Sequence, residues 1–185
     1  MTNEYLFDVG NFPKESNDAD IFLAYGDVYK GIIEHLLNNF EEIEENCHDY
    51  VIIPILFLFR HYIELKLKGL LLFKKQKINV KSHNIYEPLQ KIKGIQIHLR
   101  ISSKTENFIK QLNEIDPRGD AFRYSINKKM KRIFDNTKNK EFFNNINKFS
   151  TLKDSIEQVM KDLENIEGDF DDEKESIQEG YRNSN

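Results

Sequence analysis

Apolar residues recur at steps of three and four along most of this chain, the spacing of one face of an α-helix. Ile21, Tyr25, Val28, Ile32, Leu36, Phe40 and Ile43 form one such stripe. It predicts a long first helix over 20–45 that buries this stripe. Asp18 or Asp20 is placed to cap it, accepting hydrogen bonds from the first free backbone N–H groups. Cys47-His48-Asp49 marks a break, and the stretch Val51 to Phe73 then reads VIIPILFLFRHYIELKLKGLLLF. Its first nine residues carry no charge. A second helix over 50–75 is expected, apolar all round at its start, amphipathic later, and central to the fold. Pro54 falls near its first turn, where a missing N–H costs little.

Asn79 to Ser82 reads as a loop, and Asn84 to Lys93 as a shorter helix with Pro88 near its start and Gly94 closing it. A fourth helix is expected over Ser103 to Ile115, carrying Phe108, Ile109, Leu112 and Ile115. Asp116-Pro117-Arg118-Gly119-Asp120 reads as a turn, because proline disfavours helix before it and glycine frees the chain after it. Phe122 to Phe134 is ambiguous, with a short hairpin as one reading. A last helix is expected over 149–166, with Leu152, Ile156, Val159, Leu163 and Ile166 on one stripe. Residues 1–18 read as a lead-in, and the acidic, apolar-poor tail 169–185 as disordered. With no repeat and no long linker, residues 19–168 form one all-α bundle.

Two charged residues interrupt the apolar stretch. Arg60 and Glu64 stand four apart in the second helix and share a face. A charge in so apolar a setting is costly unless paired, so a partner is expected, with Asp120 or Arg123 joining the pair. The net charge of −4 conceals a basic middle, Lys66 to Lys140, between acid-rich ends. The chain as a whole is no nucleic-acid magnet, although that middle would present a basic face. One cysteine excludes an intrachain disulfide. The start lacks a signal-peptide pattern, and Val51–Phe59 is too short to span a bilayer, so a cytoplasmic location without membrane contact is expected. No His-x-x-x-His, paired cysteine, calcium-loop or Gly-rich phosphate-loop pattern occurs, so neither metal nor cofactor is expected.

Three elements in order resemble the HEPN superfamily of helical-bundle proteins. Arg60-His61-Tyr62-Ile63-Glu64-Leu65-Lys66-Leu67-Lys68 resembles its Arg-His-x-x-Glu-Leu-x-x-Lys helix. Ser82-His83-Asn84-Ile85 resembles the start of its next helix, and Phe122-Arg123-Tyr124-Ser125 its Arg-Tyr-Pro-like turn. The resemblance covers residues 20–165. It implies an up-and-down bundle of four to five helices and a homodimer. It also implies a place in bacterial toxin–antitoxin or phage-defence systems, beside a protein encoded by a neighbouring gene. Many such proteins cut RNA without a metal, and others are non-catalytic binding modules. Catalytic members carry an arginine followed, after four to six intervening residues, by a histidine, and no arginine here stands so before any of the five histidines. Lys77 precedes His83 with five residues between, but lysine lacks the planar fork that grips a phosphate. Ser125 stands where proline is common.

The candidate catalytic residues are His83, Arg60 and Arg123, with Glu64, His61, Asp120 and Tyr124 as orienting or structural groups. His83 would take a proton from a ribose 2′-OH, or alternatively belong to a helix cap with Ser82. Arg60 and Glu64 would hold a phosphate and orient the site, or form a buried network fixing helix register. Arg123 and Tyr124 would form a phosphate-and-base platform, or pack a turn with Phe122. His61 points about 100° away from Arg60 around the helix, so the two do not face one small site squarely.

Overall fold

The computed structural model describes residues 17–47, 51–95, 101–123, 137–146 and 148–182. Among these residues the chain is all-α, with seven helices and no strand. They are α1 (Asp18–Asn38), α2 (Phe40–Cys47), α3 (Ile52–Phe73), α4 (Tyr86–Ile95), α5 (Ser103–Ile115), α6 (Thr137–Asn145) and α7 (Phe149–Arg182).

The first helix begins on Asn17, not on Asp18 or Asp20. The Asn17 side chain accepts from the Ala19 and Asp20 N–H groups at 2.9 and 3.1 Å. Asp20 in turn accepts from the Asn17 N–H at 3.4 Å, completing a reciprocal capping box. The expected 20–45 helix is divided at Asn39, where both the backbone N–H and the side-chain amide donate to the His35 carbonyl, at 3.1 and 2.8 Å. An asparagine side chain that competes for the helix's own carbonyl ends it there.

The buried face of α1 also differs from the expected one. Ala19, Leu23, Gly26, Ile33 and Leu37 face inward, whereas Tyr25, Val28 and Ile32 are exposed, at 44%, 60% and 45%. Two glycines explain the choice. A Cβ on Gly69 of α3 would stand 2.8 Å from the Leu23 side chain, and one on Gly26 would stand 3.0 Å from the Lys66 methylenes. Bare backbone on both helices lets α1 and α3 approach closely along the glycine-bearing face. Leu23 meets Gly69, Gly26 meets Lys66, and Tyr29 meets His61, so residue numbers rise on α1 as they fall on α3. The two helices are antiparallel, as expected.

Helix α3 is the core of the fold. Ile55, Leu56, Phe59, Tyr62, Ile63, Leu67 and Leu70 are buried, with Phe108, Ile109 and Leu112 of α5 and Ile156, Val159 and Leu163 of α7 in the same cluster. Asn84 caps α4 by accepting from the Tyr86 and Glu87 N–H groups at 2.9 and 2.8 Å, while the Ser82 hydroxyl accepts only from Asn84. The cap is therefore Asn84, not Ser82. Helix α4 runs through Gly94 to Ile95, and α5 matches its expected span behind a Ser102 cap. Helix α6 was not expected. Helix α7 continues past Gly168 to Arg182, through most of the tail whose composition suggested disorder. The possible hairpin over 122–134 falls almost wholly outside the described residues. No helix among the described residues is long and apolar enough to cross a membrane.

Candidate functional site

Four buried charges meet where α3 faces the loop before α4 and the turn after α5. Arg60, only 2% exposed, extends from α3 into this junction. Its Nε donates to the Asp116 carbonyl at 2.9 Å, one terminal nitrogen to Glu64 Oε2 at 3.2 Å, and the other to the His83 carbonyl at 2.5 Å. One turn beyond Glu64 on α3, Lys68 Nζ donates to Glu64 Oε1 at 2.7 Å and to the Val80 carbonyl at 2.9 Å. Arg60 and Lys68 are thereby balanced by Glu64 and Asp116, all four buried. A buried pair is tolerable when the remaining lone pairs and protons also find partners.

Asp116 serves the turn and the network together. Its Oδ1 accepts from the Asp120 and Ala121 N–H groups at 2.8 and 2.9 Å, which closes the turn. Its buried Oδ2 lies 3.3 Å from Arg60 Nε yet accepts no hydrogen bond. The Nε hydrogen is directed at the carbonyl, so Oδ2 contributes charge alone. Gly119 adopts φ +72°, the left-handed region, and a Cβ there would come within 3.1 Å of an Arg60 terminal nitrogen. The glycine thus makes room for the guanidinium.

His83 is the outer member of the cluster. Its Nδ1 lies 3.2 and 3.4 Å from the two Glu64 oxygens, and its side chain is 52% exposed. Burial pushes the Glu64 carboxyl up, but Lys68, Arg60 and His83 outweigh this and hold it below the usual carboxylate range. An ionised carboxylate only accepts, so the His83 Nδ1 that faces Glu64 is the donor of this contact. On this half-exposed ring Nε2 is the nitrogen not engaged by Glu64.

The remaining candidates lie around this junction rather than in it. His61 stands edge-on to Tyr29 with ring centroids 4.7 Å apart, and burial lowers its pKa. The exposed Arg123 guanidinium lies over the Phe57 ring at 5.1 Å, one helical turn before His61 on α3. Asp120 pairs with Arg118 at 3.1 Å and meets Arg60 only indirectly, since its backbone N–H is held by Asp116. The expected Asp120–Arg60 contact is therefore made by Asp116 instead. Tyr124 lies outside the described residues. Asp116 and Gly119 were read from the sequence as turn residues only, and Lys68 was not assigned a site role, although Lys68 is four residues from Glu64 and spacing alone pairs them.

A second ionic cluster ties α1, α3 and α7 together. Buried Lys66 pairs with Asp27 at 2.6 Å and Glu167 at 2.7 Å, and Lys30 pairs with Glu164. Among the described residues no group of three or more His, Cys, Asp or Glu side chains is arranged to hold a metal ion. No family model, curated protein or solved structure matches the chain.

Proposed function

We propose that the chain is a HEPN-like protein of a bacterial toxin–antitoxin or phage-defence system and acts on RNA without a metal, with His83 as the proton acceptor. The observation that carries this reading is the Glu64–His83 contact, which engages Nδ1 of a half-exposed imidazole and leaves Nε2 as the nitrogen not facing the carboxylate. A positioned imidazole with a bare nitrogen is the group needed to take a proton from a ribose 2′-OH. Cleavage then proceeds by attack of that oxygen on the adjacent phosphorus, with the P–O5′ bond breaking, the 5′-oxygen leaving as a hydroxyl protonated by water, and a 2′,3′-cyclic phosphate as product. The exposed Arg123 supplies a cation for phosphate charge in this reading. Arg60 acts as a positioning residue in this reading, because each of its nitrogens already donates to the protein.

The same engagement of Arg60 favours a second reading, a non-catalytic helical module that partners a nucleotidyltransferase or nuclease encoded nearby. Both readings accommodate a homodimer in the cytoplasm. Incubation of RNA with the wild-type chain in EDTA separates them, with His83→Ala and Arg123→Ala alongside. The catalytic reading expects cleavage to 2′,3′-cyclic ends that both substitutions abolish or sharply reduce. Intact RNA with the wild-type chain, alone and with its gene neighbour, refutes it in favour of the binding module.

A further inference from the structure

Between Glu64 and Glu87 the chain carries six lysines and no acidic residue. Three of the six serve the fold. Lys66 is buried against Asp27 and Glu167, Lys68 is buried against Glu64, and Lys74 pairs with Glu173. The other three, Lys75, Lys77 and Lys81, lie in the connection between α3 and α4 and are exposed. Among the described residues their ammonium groups have no acidic or hydrogen-bonding partner. On a chain of net charge −4, three uncompensated cations within seven residues of one loop form a local positive field.

The loop is held in place from within. Ile78 packs against the core. Lys68 holds the Val80 carbonyl and Arg60 the His83 carbonyl, so the two buried cations of α3 fix the backbone on either side of Lys81. Asn79 accepts from the Lys81 N–H at 3.1 Å through its side chain and from the Ser82 N–H at 3.0 Å through its carbonyl. The exposed lysines therefore project from an ordered backbone. At the start of the loop Lys75 adopts φ +54°, the left-handed region that glycine ordinarily fills at a helix end. The loop leads into His83, two residues beyond Lys81. An extended chain spans at most about 3.6 Å per residue, which keeps the Cα atoms of these two within roughly 7 Å.

We infer that this loop is the track for the phosphate backbone of a single-stranded RNA, with Lys75, Lys77 and Lys81 each meeting a phosphate and the strand leading to His83. Lysine suits that task as a point charge. An acidic protein partner fits less well, because protein interfaces bury apolar anchors and deplete lysine at their cores. From Lys75 to His83 the only exposed large apolar side chain is Val80. A single strand is favoured over a duplex because its backbone is free to turn for in-line attack beside His83. The choice of RNA as the polyanion rests on the function proposed above, to which the loop adds the path of the strand.

Counterion release sets the scale of the test. For a single strand, log K falls with log salt by about 0.7 per phosphate neutralised, so three lysines contribute a slope of about −2. That is a loss of roughly 20-fold in affinity between about 50 and about 200 mM salt. Fluorescence anisotropy of the full chain with a labelled oligodeoxyuridylate reads it, since a strand without 2′-OH groups offers the phosphates and is not cut. Lys77→Gln and Lys81→Gln should each flatten the slope by about 0.7, and the triple variant with Lys75→Gln by about 2, with unchanged circular dichroism. Lys161→Gln is the control. This exposed lysine stands twelve residues, about 18 Å along α7, from the Glu173 that holds Lys74. No binding by the wild-type chain, a slope that the loop substitutions leave alone, or one that Lys161→Gln flattens equally overturns the inference. So does tighter binding of polyglutamate than of the oligonucleotide, which makes the loop a site for an acidic protein. RNA bound through these lysines yet left intact supports the inference and refutes the catalytic reading. RNA cut by wild type and triple variant with the same KM does the reverse.

Discussion

Replacing Glu64 tests the buried network most directly. Glu64→Ala removes the acceptor used by Lys68 at 2.7 Å and Arg60 at 3.2 Å, and the anchor of His83 at 3.2 Å. Lys68 keeps the Val80 carbonyl, and Arg60 keeps Asp116 and the His83 carbonyl. Two buried cations then face one buried carboxylate. Breaking a buried pair from one side costs about 3–5 kcal/mol. In a chain of this size each kcal/mol lowers the melting temperature by about 2–4 °C, so a fall of about 6–20 °C is expected. Glu64→Gln keeps the shape and one acceptor oxygen and should fall less. The acid limb gives an independent check, because the folded pKa of Glu64 lies below its ordinary value of 4.5. Its contribution is complete above that value and is lost as pH falls through the lowered folded pKa. The stability difference between wild type and Glu64→Gln should therefore shrink as the solution is acidified below about 4.5. Differential scanning calorimetry at several pH values measures both effects. A Glu64→Ala melting temperature equal to wild type would refute the buried network, as would a difference that grows on acidification.

Gly69→Ala should destabilise by about 1–3 kcal/mol, since its Cβ would stand 2.8 Å from the Leu23 side chain and 3.2 Å from the Leu23 backbone nitrogen. Gly31→Ala meets no intrachain atom within 4 Å and should raise monomer stability by about 1 kcal/mol. Urea denaturation of the two variants should therefore move in opposite directions. Gly119→Ala should cost about 1–2 kcal/mol in the same assay, because φ +72° disfavours a side chain and the new methyl would crowd Arg60. Burial depresses the folded pKa of His61 below its ordinary 6.5, so its neutral form favours folding above that pH and the gain is lost as pH falls through the depressed value. His61→Phe should flatten this part of the melting profile, and an unchanged slope would contradict it.

Much of the architecture was legible because long apolar runs leave few alternatives. Val51, Ile55, Leu56 and Phe59 are buried as the charge-free stretch required, and α5 has its expected bounds. The face of α1 was not legible, because the side chosen for burial contains Gly26. A glycine adds nothing to a hydrophobic stripe, yet the side chain it lacks is what admits Lys66 and brings α3 close. At the site, the Arg60–Glu64 pair followed from spacing and burial cost. Which residue of the turn after α5 joins them did not, because Asp116 reaches Arg60 chiefly through its main-chain carbonyl, and every residue type carries that acceptor. The extent of α7 was hidden for a related reason. Composition counts the acidic residues after Gly168 but not the helix already propagating into them, and extending a formed helix costs far less than starting one.

The reach of Arg60 along the chain also bears on how long a folded molecule lasts. Its bonds join positions 23 and 56 residues apart. Loops of that size must close before either bond can form, so the entropic cost comes ahead of the gain. Such contacts belong to the native side of the folding barrier, where they retard unfolding and leave folding speed largely untouched. Stopped-flow chevrons of Arg60→Met, which removes both long-range bonds, should accordingly show a raised unfolding arm beside an almost unmoved folding arm. A slowed folding arm would place the network in the nucleus instead. On this account a few buried polar contacts do more than fix geometry: they act as a clasp that sets the lifetime of the folded chain against proteolysis.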